Sequence, residues 1–141
     1  MIGKVLGLDL GEKTLGIAES DLMGIIATGV ENFRFESCDF DKAMERVKFY
    51  VKRDMIKEIA LGLPLHMSGD ESDHSIMCRE FKDRIEKEIP GVKVVLIDER
   101  WTTKQATRTL LEADLSRNKR KKVIDKMAAV VILETYLQMR G

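Results

Sequence analysis

The chain has 141 residues, of which 44% are hydrophobic and 34% charged, and its 24 basic side chains balance its 24 acidic ones. This composition is typical of one globular domain, which we expect to cover residues 1–141. A net charge of zero argues against a protein that binds nucleic acid by electrostatics alone. The longest apolar stretch, Met127–Leu133, is too short to span a bilayer. The opening residues Met1–Lys4 are not expected to begin a signal peptide. Cys38 and Cys78 share no motif, so a cytoplasmic protein with reduced thiols is expected.

Three strands are predicted in the first third of the chain. The apolar run Val5–Leu8 ends on Asp9, and a turn containing glycine leads into a second apolar run, Thr14–Ala18. After another turn, Ile25–Phe33 is rich in isoleucine, valine, threonine and phenylalanine, as strands are. The sequence therefore predicts a meander of three antiparallel strands.

Helices and strands alternate in the rest of the chain. In order, the sequence predicts a helix capped by Asp39, a strand over Ile56–Leu63, a polar loop to Asp73, a helix to about Glu88, a strand over Val92–Ile97, a short helix capped by Thr102 or Thr103, and a last helix from Val123 to about Leu137. The order β-β-β-α-β-α-β-α-α predicts an α/β domain. Its five-stranded sheet would be mixed, with three antiparallel strands and then parallel ones, and helices on both faces.

Acidic residues follow two of the buried strands. Asp9 closes the first strand, and Asp98 and Glu99 close the fifth, so they meet at one edge if the strands are parallel. Asp125 lies in the last helix, one turn from two alanines that would let the helix approach the sheet. Clustered carboxylates repel one another unless a cation neutralises them, and oxygen ligands alone favour Mg²⁺ or Mn²⁺. Such a site can hydrolyse a phosphodiester, and the pattern leaves open whether Asp98 or Glu99 faces it.

Ordinary structural roles also account for these features when each is taken alone. Asp9 could be a solvated turn residue, and Asp125 could stabilise the first turn of a helix through the helix dipole. Between residues 100 and 122 there are eight basic and two acidic side chains, which could bind phosphate or form a solvated face.

Four ordered segments resemble the YqgF/RuvX family, the Holliday-junction-resolvase-like proteins also called pre-16S rRNA nucleases. They are the opening Leu6–Asp21, the Gly-Leu-Pro-Leu loop of Gly62–Gly69, the Asp-Glu-Arg-x-Thr-Thr segment of Asp98–Thr103, and the C-terminal helix of Asp125–Leu137. Together they extend over almost the whole chain. The sequence departs from the family at His66, Ser68 and Trp101, where asparagine, aspartate and leucine are usual. None of these departures falls on a candidate acid, so they concern the handling of substrate and not the metal site.

The resemblance implies an RNase H-like fold and a metal-dependent nuclease, a hydrolase of phosphodiester bonds. Carried over onto the matching positions, its catalytic acids are Asp9, Glu99 and Asp125, which would bind Mg²⁺ or Mn²⁺. It also implies processing of the 5′ end of pre-16S rRNA in ribosome biogenesis, with a ribosomal subunit or processing factors as partners, or else resolution of branched DNA.

Four other side chains are candidates for contacts with the substrate. Arg100 could bind a phosphate with a bidentate fork, and Thr103 and Lys13 lie in segments that adjoin the acids. His66 is in the loop after the fourth strand, on the same side of the sheet as Asp9 if the strands are parallel. The structural alternatives are an ion pair for Arg100, a helix cap for Thr103 and solvent exposure for Lys13 and His66; His74 is predicted to be a surface residue.

Three other functions compete with rRNA processing. A Holliday junction resolvase would cut DNA at two symmetric sites and therefore act as a homodimer, whereas the rRNA nuclease could be a monomer. A non-catalytic nucleic-acid-binding module would have lost an acid, and here all three are present. An ATP-binding domain of the actin or sugar-kinase type needs two such units, and 141 residues supply one.

Overall fold

A computed structural model of the protein describes residues 3–99 and 117–140, with side chains for 3–99 and 127–140. Within these residues the strands are β1 (Val5–Leu10), β2 (Thr14–Ser20), β3 (Ala27–Arg34), β4 (Glu58–Leu63) and β5 (Lys93–Asp98), and the helices are α1 (Phe40–Asp54), α2 (Asp73–Glu88) and α3 (Arg117–Arg140). None of the described helices is long and apolar enough to cross a membrane. The helix predicted to follow Thr102 or Thr103 lies outside the described residues.

The five strands form one sheet in the order β3-β2-β1-β4-β5. β1 pairs antiparallel with β2, and β2 with β3, whereas β1, β4 and β5 are parallel. This confirms the predicted mixed sheet. The carboxyl ends of β1, β4, β5 and also β3 therefore lie along one edge, which we call the carboxyl edge.

Helices cover both faces of the sheet, as predicted. Along β1 the side chains alternate, so that Leu6, Leu8 and Leu10 face the core shared with α1 and α2, while Val5 faces the core shared with α3. All four of these side chains are at most 2% exposed. β1 is the middle strand of the sheet and is buried on both faces. Asp9, near its carboxyl end, therefore lies at the middle of the carboxyl edge.

Several predicted boundaries differ from the structure. The last helix begins at Arg117 instead of Val123, so the basic stretch 117–122 is part of α3, since lysine and arginine are good helix formers that an apolar pattern does not register. Asp39 occupies the N-cap position of α1 without a side-chain cap, whereas Ser72 caps α2 by accepting a hydrogen bond from the Ser75 amide. β5 is an edge strand in which Val95 is only half-buried.

A close contact between α3 and β1 sets the position of this helix. A Cβ atom built on Gly7 would lie 2.7 Å from the Leu133 Cβ and 2.9 Å from the Ala129 carbonyl oxygen. Farther along α3, the Tyr136 hydroxyl donates to Glu58 at the start of β4 (2.8 Å). The C-terminal end of α3 therefore lies away from the carboxyl edge, and its N-terminal half points toward that edge.

We expect Gly7→Ala to destabilise the fold by about 2 kcal/mol because the new methyl group meets the helix backbone and cannot be relieved by a side-chain rotation. For a chain of this size the melting temperature should fall by about 6 °C, measured by thermal denaturation. Gly11→Ala is the matched control, since its methyl would meet the Thr14 hydroxyl at 3.1 Å and no helix backbone. Equal melting temperatures for the two variants would contradict the role given to Gly7.

Candidate active site

Asp9 lies near the end of β1 on the face that α3 covers, two residues beyond Gly7. It pairs with Gly16 of β2 on one side. On the other side Leu8 pairs with Leu61 of β4, and Gly62 is the next residue toward the carboxyl edge. Asp9 is half-buried, and it has a glycine next to it on each neighbouring strand.

Glu99 follows β5 directly and reaches back across β4 toward Asp9. A Cβ atom on Gly62 would lie 2.7 Å from the Glu99 Cδ and 2.9 Å from its Oε1. The Glu99 carboxyl therefore occupies the space that a side chain at residue 62 would fill, and it forms a hydrogen bond with Asp9. Two acids from strands that are not neighbours meet because the strand between them carries no side chain at this point.

The Glu99 carboxyl holds its proton far more tightly than a solvated glutamate. Burial raises the pKa of Glu99 to about 9, with further contributions from the charge of Asp9, the hydrogen bond to Asp9 and the charge of Asp98. The Glu99 carboxyl therefore favours its protonated form beside Asp9. A divalent cation could take the place of this proton, and the hard oxygen donors fit Mg²⁺ or Mn²⁺.

The other predicted acids occupy different positions. Asp98 pairs with Leu63 in the sheet and affects Glu99 through its charge. Only the backbone of Asp125 is described, and it lies one helical turn before Ala129, in the half of α3 that points toward the carboxyl edge. Among the described side chains two acids, Asp9 and Glu99, are hydrogen-bonded to each other, and these residues contain no cluster of three metal-binding groups.

The candidate substrate contacts fall into two groups. Arg100 and Thr103 lie outside the described residues. Lys13 is exposed in the turn between β1 and β2, and His66 is exposed in the loop that follows β4. The backbone of that loop is closed by hydrogen bonds from the Gly69 amide to the His66 carbonyl (2.8 Å) and from the His66 amide to the Asp70 carbonyl (3.0 Å). Lys13 and His66 are therefore both at the carboxyl edge.

Two residues of α2, His74 and Cys78, lie near the acid pair, although the sequence predicted neither as a site residue. His74 is exposed, as predicted, but its Nε2 donates to the Leu10 carbonyl (2.6 Å), directly after Asp9. Cys78, one turn later, is 1% exposed. Burial, and then the charges of Glu99 and Asp9, raise the pKa of the Cys78 thiol to about 12, so it stays neutral in the core on the opposite face of the sheet. The four-residue spacing of His74 and Cys78 places both on one face of a helix. It indicates a position near Asp9 only once α2 has packed onto the sheet.

Comparison with known sequences places this geometry in context. The model of the RuvX family, described as Holliday junction resolvase, matches residues 3–139. A protein of Staphylococcus saprophyticus is 42% identical over 134 residues, which cover 95% of this chain and 94% of that protein. A protein of Oceanobacillus iheyensis is 44% identical over 137 residues, covering 97% and 99%. Both are provisionally named pre-16S rRNA nucleases.

Solved structures with the same fold include two resolvases. RuvC of Thermus thermophilus, in complex with a Holliday junction, superposes with a TM-score of 0.62 at 16% identity, covering 99% of this chain and 97% of that one. The resolvase of Fowlpox virus, also with junction DNA, has a TM-score of 0.54 at 14% identity, covering 97% and 98%. At these identities the likeness shows the RNase H-like fold.

The raised pKa of Glu99 predicts a pH-dependent stability in a buffer that chelates metals. Between about pH 4.5 and 9 the folded protein retains a proton that the unfolded chain releases, so the free energy of unfolding should fall as the pH rises. Glu99→Gln lacks this titration and should show a shallower decline, measured by denaturant unfolding at pH 5 to about 9.

Glu86→Gln is the matched control for that series. Hydrogen bonds from Lys82 and from the Val94 amide lower the pKa of Glu86, so its linkage to folding lies below this pH window. Identical slopes for the wild type and Glu99→Gln would contradict the shared proton between Asp9 and Glu99.

Proposed function

The chain belongs to the RuvX family and is a nuclease, and we propose that it depends on a divalent metal ion and processes the 5′ end of pre-16S rRNA. The observation that supports the metal-dependent mechanism is the pair of carboxyl groups, Asp9 and Glu99, which meet across Gly62 at the carboxyl edge. The names of the relatives, which cover nearly the whole chain at 42–44% identity, support the rRNA substrate.

In this proposal Asp9, Glu99 and Asp125 are the catalytic acids that hold Mg²⁺ or Mn²⁺, and Asp98 supports them through its charge. When bound, the metal activates water and stabilises the leaving oxygen of the phosphodiester. Glu99 would serve as a ligand in its ionised form, which a neighbouring cation would favour over the protonated form. The backbone of Asp125 lies one helical turn before Ala129, the residue whose carbonyl lies against Gly7. This position supports Asp125 as the third acid.

Other residues of the chain hold the two acids in place. Gly62 leaves the space that the Glu99 carboxyl occupies, and His74 donates to the Leu10 carbonyl and so links the end of β1 to α2. The buried, neutral thiol of Cys78 lies in the core on the opposite face of the sheet and adds no charge near the acids. His74 is therefore a positioning residue, since it acts through the backbone that carries Asp9.

Lys13, Arg100, Thr103 and His66 are the proposed contacts with substrate phosphates. The exposure of Lys13 and His66 at the carboxyl edge supports their part. In this proposal the protein acts in the cytoplasm, in association with a ribosomal subunit or with processing factors.

A Holliday junction resolvase is the second candidate function. It is favoured by the description of the family model and by the RNase H-like fold shared with RuvC. Two symmetric cuts in a junction require two active sites, so this function would need a homodimer. The substrate and the oligomeric state therefore distinguish the two candidates.

Asp9→Asn should abolish cleavage because it removes a metal ligand, while the fold remains intact. The assay compares a pre-16S rRNA 5′ leader with a four-way DNA junction, in Mg²⁺ or Mn²⁺. Asp83→Asn is the control, since this aspartate is exposed on α2. Melting temperatures in a chelating buffer should show that both variants are folded.

Each outcome of that assay bears on one candidate. Cleavage of the RNA that disappears in Asp9→Asn supports the rRNA nuclease. Paired cuts confined to the junction would instead support the resolvase. Full activity of Asp9→Asn would disprove the metal mechanism, and a wild type that cuts neither substrate would favour a non-catalytic nucleic-acid-binding module.

Gly62→Ala should lower the cleavage rate about a hundredfold because its methyl group displaces the Glu99 carboxyl. The same methyl would lie 2.6 Å from the Ile132 Cδ1, an atom that Ile132→Val removes. Adding Ile132→Val should therefore relieve the steric strain, read as melting temperature, without restoring the rate. A double variant with wild-type activity would show that the position of Glu99 is unimportant.

A further inference from the structure

A cavity lies at the carboxyl edge, where β3 ends and α1 begins. Its volume is about 410 Å³, and its lining residues are Phe33, Arg34, Phe35, Glu36, Asp39 and Lys42. We propose that this cavity binds an unpaired nucleotide of the substrate RNA, close to the bond that is cut. The inference rests on the proposed function and adds a subsite to it.

The walls of the cavity are aromatic and held in place. The Phe35 ring lies 6.2 Å from the Phe33 ring and 6.0 Å from the Phe40 ring, measured between centroids. The guanidinium of Arg46 lies 5.5 Å from the Phe33 centroid and is itself paired with Glu31. Rings fixed in this way can stack on a base without first losing side-chain freedom, and stacking accepts any base.

The cavity is joined to the acid pair through the backbone. The Phe35 amide donates to the Lys13 carbonyl (2.9 Å), and the Cys38 amide donates to the Glu12 carbonyl (2.7 Å). Both acceptors belong to the turn that directly follows β1. The distance between the cavity and Asp9 is therefore fixed by hydrogen bonds as well as by the sheet.

Strand register places the two sites a short distance apart. Asp9 pairs with Gly16, and Arg34 pairs with Thr14, two residues away on the same face of β2. Two strand spacings and two residues correspond to about 12 Å between the Cα atoms of Asp9 and Arg34. Arg34 thus extends on the face that carries Asp9, whereas Phe33 and Phe35, the residues before and after it, extend on the opposite face, toward the core shared with α1 and α2.

Charges at the mouth of the cavity match the two parts of a nucleotide. The cationic side chains of Arg34 and Lys42 can bind its phosphate. The carboxylates of Glu36 and Asp39 can accept hydrogen bonds from base amino groups or from ribose hydroxyls. An apolar ligand could not form an ion pair or a hydrogen bond with any of these four charged side chains.

The test uses Asp9→Asn protein, which should bind RNA without cutting it, and leader RNAs that carry 2-aminopurine at successive positions. One position near the cleavage site should lose fluorescence on binding, as a base stacked on an aromatic ring does. Adding Phe35→Leu should remove that quenching and raise Kd about tenfold. Arg34→Gln should also raise Kd, and because Arg34 is exposed this variant keeps the fold intact.

Phe49→Leu is the matched control, since this phenylalanine of α1 is 47% exposed and does not line the cavity. It should bind RNA like the Asp9→Asn parent. If the wild type cleaves the leader but Phe35→Leu and Arg34→Gln bind as tightly as the control, the subsite is disproved and the nuclease stands. A wild type that neither binds nor cleaves the RNA would overturn both.

Discussion

The interaction on which the site depends is the hydrogen bond between Glu99 and Asp9, formed across Gly62. Two carboxyl groups in a largely buried place cannot both be ionised without a large electrostatic cost, so one of them keeps its proton. In the proposed mechanism a metal ion would take the place of that proton and offset the same cost.

Two glycines, at different distances from the carboxyl edge, make that arrangement possible. Gly62 provides space for the carboxyl of Glu99, and Gly7 lets α3 approach β1 closely. The helix in turn buries Ile132 and Leu133 over the sheet, so that the core and the site share one contact surface. Stability and the geometry of the acids are thus coupled through the same close packing of α3 on the sheet.

The carboxyl edge also gathers features that the chain supplies from distant segments. The turn after β1 accepts backbone hydrogen bonds from Phe35 and Cys38, and α2 reaches the end of β1 through His74. The acid pair and the aromatic cavity are therefore attached to one rigid frame. A substrate that extends along this edge would meet cationic, aromatic and acidic groups in a fixed order.

The sequence by itself determined the mixed sheet, the helices on both faces and the family resemblance, because apolar runs and their spacing report which residues are buried. It also identified acids at the ends of two strands. It left open whether Asp98 or Glu99 approaches Asp9, since a strand with apolar residues on both faces has no parity signal. The parallel pairing of β1, β4 and β5 and the gap at Gly62 bring Glu99 to Asp9. His74 reaches the end of β1 only through the packing of α2 on the sheet, a long-range contact that no local pattern encodes.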